Sequence, residues 1–178
     1  SQVTQRFDSV TPDMEDPKEL KKFLELIRSL SAKGAILAYH DRSDGGLAAA
    51  LCEMMFASHV GVEIVADALV SKDRTLNQAL FNEELGAVIQ VARGRAAEVE
   101  RDFEAAGMGW SLKYLGNLTQ DDHLNIYLEG KCVLSEDRVD LQKAWNEVSW
   151  QIARMRDNPE CADSEYELIS DKHNGGLV

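Results

Sequence analysis

The stretch His40-Asp41-Arg42-Ser43-Asp44-Gly45-Gly46 concentrates more potential chemistry than any other part of the sequence. It follows a short apolar run, Ala35 to His40, and opens into an apolar segment rich in Leu, Ala and Met. Two adjacent glycines let a backbone turn sharply and bring its N–H groups against a bound group. A helix starting just after them presents unpaired N–H groups and the positive end of its dipole, a combination that holds anions. Asp41 and Asp44 supply hard carboxylate oxygens of the kind Mg2+ takes. Ser43 can donate to a phosphate oxygen, and Arg42 can contact a phosphate or pair with Asp41 or Asp44. His40, beside Asp41, can carry a proton or serve as a hydrogen-bonded structural histidine. A plainer use of the same residues is the commoner one: Ser43 or Asp44 caps the helix and the glycines merely fit the turn.

A second cluster is Asn82-Glu83-Glu84-Leu85-Gly86, just ahead of a β-branched run. Paired carboxylates there can bind a metal or do acid/base work, or they can simply cap and solvate a loop. Elsewhere the chemistry thins out. His59, His123 and His173 stand alone, without the spacings of a zinc site. The three cysteines, Cys52, Cys132 and Cys161, form no CxxC pair, which argues against a disulfide framework. Walker A and GxGxxG patterns are both absent.

The elements that must position these residues read as an alternation of helices and strands. Residues 1–16 are polar and read as an irregular arm. Asp16-Pro17 is a helix start, and Leu20, Phe23, Leu24, Ile27 and Leu30 then line one face. Residues 35–40 read as a buried strand, followed after the glycines by a helix with Leu47, Leu51, Met54 and Met55. Strands are expected at Val60–Val65 and Ala87–Val91, with weak helical character over 71–82 between them. A helix over 94–107 turns Val99, Phe103 and Ala106 inward. Alternation predicts strands over 110–117 and 122–129, then 131–135, joined by turns short enough to make them antiparallel. Leu141, Trp145, Val148, Ile152 and Met155 mark the clearest helix, with Trp145 and Trp150 read as packing residues. Beyond Asn158-Pro159 an acidic stretch reads as a solvated tail. The fold class is α+β, a layered mixed β-sheet with packed helices.

Charge sets limits on partners. With 19 Lys+Arg against 31 Asp+Glu, the 178-residue chain carries a formal charge of −12. That excludes a phosphate-neutralising nucleic-acid surface and disfavours an anionic membrane. The longest apolar stretch, Leu47 to Ala57, is interrupted by Glu53 and is about half the roughly 20 residues of a membrane span. Small anions stay open as ligands, because a metal and a helix N-terminus act locally. The reduced thiols point to a cytoplasmic protein, and the missing initial Met to an excised or processed piece.

Three motifs together, LAYHDRSDGGLAAALCEM (Leu37–Met54), ALFNEELGAVIQV (Ala79–Val91) and RMRDNPECADSEY (Arg154–Tyr166), resemble the phosphoribosylformylglycinamidine synthase family in its large single-chain bacterial form. The likeness runs from about Pro12 to the end, and it is to the C-terminal domain of the second repeat, the domain shared with aminoimidazole ribonucleotide synthetase. It implies that 17–156 is that C-domain, that 1–16 is an arm, and that 157–178 leads toward a glutaminase domain. It implies an ATP-dependent carbon–nitrogen ligase with glutamine as amido donor, converting formylglycinamide ribonucleotide to formylglycinamidine ribonucleotide in purine biosynthesis. Asp41 then matches a Mg2+ ligand and Ser43 a contact to bound ATP or ADP. Glu83 and Glu84 match a family motif without an assigned role. The implied partners are the N-domains and the glutaminase domain of the same full-length chain, so the piece alone should be inactive and expose an apolar patch. Two other readings stand beside this one: a non-catalytic module that holds a nucleotide or packs between domains, and the equivalent domain of a related ATP-using enzyme.

Overall fold

The computed structural model describes residues 13, 14 and 16–171. The expected arm over 1–16 therefore lies almost wholly outside the described residues, as does the stretch 172–178. In chain order the elements are α1 (Pro17–Ala32), β1 (Ile36–Asp41), α2 (Gly46–Ser58), β2 (Gly61–Val65), α3 (Leu76–Phe81), β3 (Ala87–Val91), α4 (Ala96–Ala105), β4 (Gly116–Thr119), β5 (His123–Leu128), β6 (Lys131–Asp137), α5 (Arg138–Arg156) and α6 (Pro159–Glu167). The described residues form two compact units, one within Ser1–Ala50 and Leu80–Lys113, the other within Leu51–Ala79 and Tyr114–Val178.

In the first unit, Asp16 accepts the Lys18 N–H at 2.9 Å and Pro17 opens α1, as the Asp-Pro signal predicts. The buried face of α1 is built on Leu26 and Leu30, with Phe23 and Ile27 against them. Leu24, expected inside, is half exposed, and Leu26 takes its place. The helix rotates to meet Val99 and Phe103 of α4, and Ala35 and Met108 complete the cluster. Burying a Leu or Phe of this kind contributes about 1.5–3 kcal/mol. β1 and β3 pair antiparallel, with Ile36 opposite Val91 and Asp41 opposite Ala87.

That register matters for the chemistry. Residues 42–46 leave the ladder at the same end at which 82–86 enter it. The Arg42 N–H to Gly86 carbonyl bond, 2.8 Å, carries the pairing one step further.

The second unit holds a four-stranded mixed sheet in the order β4-β2-β5-β6. Val62 and Ile64 on β2 stand beside Leu124 and Ile126 on β5, and all four are buried. This corrects the expected hairpin between 110–117 and 122–129. β4 and β5 flank β2 rather than each other, and β2 with β5 is parallel. The alternation of Trp110, Leu112 and Tyr114 is also not a strand. A 3₁₀ turn over Gly109–Ser111 captures it, with the Ser111 hydroxyl and N–H both donating to the Met108 carbonyl. Such local bonds compete with ladder formation. Trp110 and Tyr114 are exposed in consequence. The β5–β6 hairpin is antiparallel as expected.

The acidic stretch expected to be solvated forms α6 instead. Asn158 accepts from the Glu160 and Cys161 N–H groups, and Pro159 opens the helix. Trp150 stacks on Tyr166 with centroids 4.3 Å apart, and its indole N–H donates to Asp163 at 2.9 Å. Arg154 reaches the same carboxylate at 2.6 Å. The acidic side chains are thus partly consumed in docking α6 on α5. The other face of α5 is largely exposed: Trp145, Val148, Ile152 and Met155 are 49–80 % exposed, although the Trp145 ring meets Phe56 of α2 with centroids 6.0 Å apart.

Candidate functional site

The site is built where β1 ends and β3 begins. His40 is half-buried on β1, its Nδ1 2.6 Å from the Asp41 carbonyl, which requires an N–H at that nitrogen. Asp41, Ser43 and Asp44 are exposed. The turn closes through the Gly46 N–H to the Ser43 carbonyl, 2.9 Å. Gly45 and Gly46 have φ of +81° and +68°, the left-handed region that favours glycine. At Gly46 there is no room either: a Cβ would meet the Leu80 and Asn82 carbonyl oxygens and the Phe81 carbonyl carbon at 2.7–2.8 Å. The start of α2 therefore lies directly on the backbone of 80–82.

The second cluster comes to the same place. Glu83 accepts the Gly45 N–H through Oε1 at 3.3 Å. Among the described residues, the carboxylate at the start of α2 is thus Glu83, and neither Ser43 nor Asp44 makes a side-chain cap there. A carboxylate at this end of the dipole is favoured, and it stands where an external anion would also be drawn. Arg42 donates from Nε to the Glu84 carbonyl at 2.6 Å and from Nη2 to the Leu85 carbonyl at 3.2 Å. Its Nη2 also lies 3.6 Å from the Glu84 carboxylate. The Glu84 N–H is held in turn by the Asn82 side chain at 2.7 Å. Asp41 adds to partial burial in raising the Tyr39 phenol above its ordinary value, burial being the larger cause.

All nine residues singled out in the sequence, His40 to Gly46 with Glu83 and Glu84, fall at this one corner of the first unit. Sequence reasoning missed the parts played by Asn82 and Gly86. Gly86 is where the Arg42 guanidinium lies, 3.4 Å from the position a Cβ would occupy. The signal was there in the Gly closing the motif. For Mg2+, the fit is partial: among the described residues, no three His, Cys, Asp or Glu groups converge on a metal site. Asp41 offers one exposed carboxylate. That suits an ion held by one or two carboxylates with phosphates and waters, and not an all-protein cage.

The sequence matches the family described as AIR synthase related protein, C-terminal domain, over residues 1–129, and the chain belongs to that family. Among solved structures it is similar to Thermotoga maritima PurL complexed with FGAR, at 17% identity and a TM-score of 0.63, covering 75% of this chain and 23% of that one. It is likewise similar to phosphoribosylformylglycinamidine synthase II of T. maritima, at 16% identity and a TM-score of 0.61 over 71% of this chain and 22% of the other. Escherichia coli HypE, a hydrogenase maturation protein, matches at 25% identity and a TM-score of 0.53, over 61% of this chain and 36% of that one. The chain thus spans under a quarter of the T. maritima chains it matches. The likeness bears out the α+β fold class. Among the described residues no helix is long and apolar enough to cross a membrane.

Proposed function

We propose that this chain is the C-domain of the second synthetase repeat of a phosphoribosylformylglycinamidine synthase, contributing part of a Mg-nucleotide site and inactive alone. The observation that carries the reading is the convergence of the HDRSDGG and NEELG motifs at the start of α2, with Asp41 and Ser43 exposed beside it. Family membership supports it, as do the T. maritima PurL structures complexed with ATP and with ADP. In this reading Asp41 holds the metal and the Ser43 hydroxyl donates to a phosphate oxygen. The positive end of the α2 dipole favours negative charge nearby. When bound, Mg2+ would neutralise phosphate charge. The wider activity follows from the same reading: an ATP-dependent ligase taking its nitrogen from glutamine, cytoplasmic, completed by the N-domains and glutaminase domain of a longer chain. The open face of α5 supports such a neighbour, since exposed apolar patches of this kind are normally covered.

The test is Asp41→Ala in the full-length enzyme, read as turnover, as nucleotide retained through purification, and as melting temperature. Lost turnover with retained nucleotide and unchanged melting assigns a catalytic site. Lost ADP with a lower melting temperature assigns a structural one, the non-catalytic holding role. A variant unchanged in all three overturns the reading. The 25% identity to HypE favours a second reading, the equivalent domain of another ATP-using protein of the same superfamily. Formation of formylglycinamidine ribonucleotide by the full-length protein excludes it.

A further inference from the structure

The motifs alone allow Arg42 to be a phosphate contact or a partner of Asp41 or Asp44, and give Glu83 and Glu84 no role. The geometry gives all three another use. The Arg42 side chain is only 15% exposed and is turned away from the turn it belongs to, onto the Glu84 and Leu85 carbonyls. Its own N–H bonds the Gly86 carbonyl at 2.8 Å. From the opposite side, Glu83 accepts the Gly45 N–H at 3.3 Å, and the Gly46 backbone rests on residues 80–82. The two loops are therefore stitched in both directions, main chain to side chain each way. A planar fork that donates to two carbonyls at once demands arginine, because an ammonium is a point charge without that geometry.

We propose that Arg42 is a positioning residue: with Gly86 as the floor under its guanidinium, it clamps the 82–86 loop to the 41–46 turn and so sets where Asp41 and Ser43 stand. It does not bind phosphate itself. That the clamp serves a nucleotide rests on the function proposed above; the clamp itself does not, and the experiment separates the two.

The experiment compares Arg42→Lys, Arg42→Ala, Gly86→Ala and the Arg42→Ala/Gly86→Ala double variant in the full-length protein. Amide hydrogen exchange is followed in peptides covering 41–47 and 82–87, and ATP affinity is measured in parallel well below the melting temperature. Loss of charge-assisted bonds of this kind should lower protection on the order of 10- to 100-fold, in both loops together. Arg42→Lys should lose as much as Arg42→Ala in exchange and in affinity. A phosphate ligand would behave differently, since lysine also binds phosphate and would retain affinity. Gly86→Ala would bring its Cβ no closer than 3.4 Å to the guanidinium, an ordinary contact, so it should leave protection near wild type, and any loss it does cause should vanish in the Arg42→Ala background. Undisturbed exchange in Arg42→Ala, deprotection of one loop alone, or wild-type behaviour of Arg42→Lys each overturns the clamp. If the exchange results hold but Asp41→Ala leaves ATP affinity unchanged, the clamp stands and the nucleotide reading falls.

Discussion

Gly46→Ala is the substitution that most directly tests whether the turn is shaped by its neighbours. Two separate costs apply. The first is conformational: at φ +68° a Cβ is strained by roughly 1–2 kcal/mol. About 0.4–1 kcal/mol of that is recovered because alanine restricts the unfolded chain. The second is steric. The new Cβ would lie 2.7–2.8 Å from three backbone atoms of residues 80–82, which cannot rotate aside as a side-chain tip can. Forcing an extra methyl into a packed site typically costs 1–3 kcal/mol, roughly the range for overpacking. Gly107→Ala is the matched control, in the same unit, at φ +71° and with no atom within 4 Å of its Cβ position. It carries the first cost alone. Urea unfolding followed by far-UV circular dichroism should therefore place Gly46→Ala about 1–3 kcal/mol below Gly107→Ala in stability. Equal destabilisation, within about 0.5 kcal/mol, would show that residues 80–82 do not rest on the turn and refute that packing.

Other outcomes follow from single side chains. Arg138 is 3% exposed, with Nε 2.6 Å from the Asp122 carboxylate, which is itself 36% exposed; Arg138 keeps its bond to Gln142, so Asp122→Ala should cost about 1–3 kcal/mol in urea unfolding. The His123 imidazole is held above its ordinary value, first by its bond to the Asp121 carbonyl and then by Asp137, Asp121 and Asp122. A raised folded-state value means His123 contributes stability below about pH 6.5 that is lost as pH climbs through the raised value. His123→Gln should remove that decline from a melting-temperature profile over the neutral range. Asp121 has the opposite sign: the Thr119 hydroxyl first, then the His123 N–H and the nearby imidazole, hold its carboxyl below the ordinary value against the upward push of burial, so its contribution is lost on acidification. Burial, helped by Glu53, pushes the Cys52 thiol up to about 11. Iodoacetamide at neutral pH should therefore label the exposed Cys132 and Cys161 in the folded chain and Cys52 only after unfolding, as counted by intact mass.

What could be read in the sequence was whatever local chemistry decides. Asp16-Pro17 and Gly34 delimit α1 because caps and left-handed glycines act within one turn of chain. The Ala87–Val91 strand and the β5–β6 hairpin follow from β-branched composition and a short turn. Strand order escaped, because the pairing of β2 between β4 and β5 depends on contacts some sixty residues apart, which no window contains. The candidate site was legible as two motifs but not as one place. Only the antiparallel register of β1 with β3 brings Arg42 opposite Gly86. Asn158-Pro159 was legible too, since it repeats the grammar of Asp16-Pro17; the run of acids that follows outweighed it, although Asp163 is bonded to Trp150 and Arg154.

Helix α5 shows where pattern reading stops. Leu141, Trp145, Val148, Ile152 and Met155 recur at spacings of four and three, the same signature that in α1 marks the face turned to the core. In α1 that face is met by Val99 and Phe103. In α5 the side carrying Trp150 takes α6, and four of the five apolar residues stay largely exposed, Trp145 with only part of its ring against Phe56. Periodicity records that a helix has an apolar face; it carries no information on whether the covering partner lies in the same stretch of chain. The two helices can be separated by experiment. Replacing Leu30 with alanine should destabilise this chain by about 2–5 kcal/mol, because the side chain is fully buried here. Replacing Ile152 with serine should change it by no more than about 0.5 kcal/mol in isolation. In the full-length protein, if a neighbouring domain covers α5, the Ile152 change should cost several times that. An equal, small effect of Ile152→Ser in both settings would show that α5 meets no partner along this face.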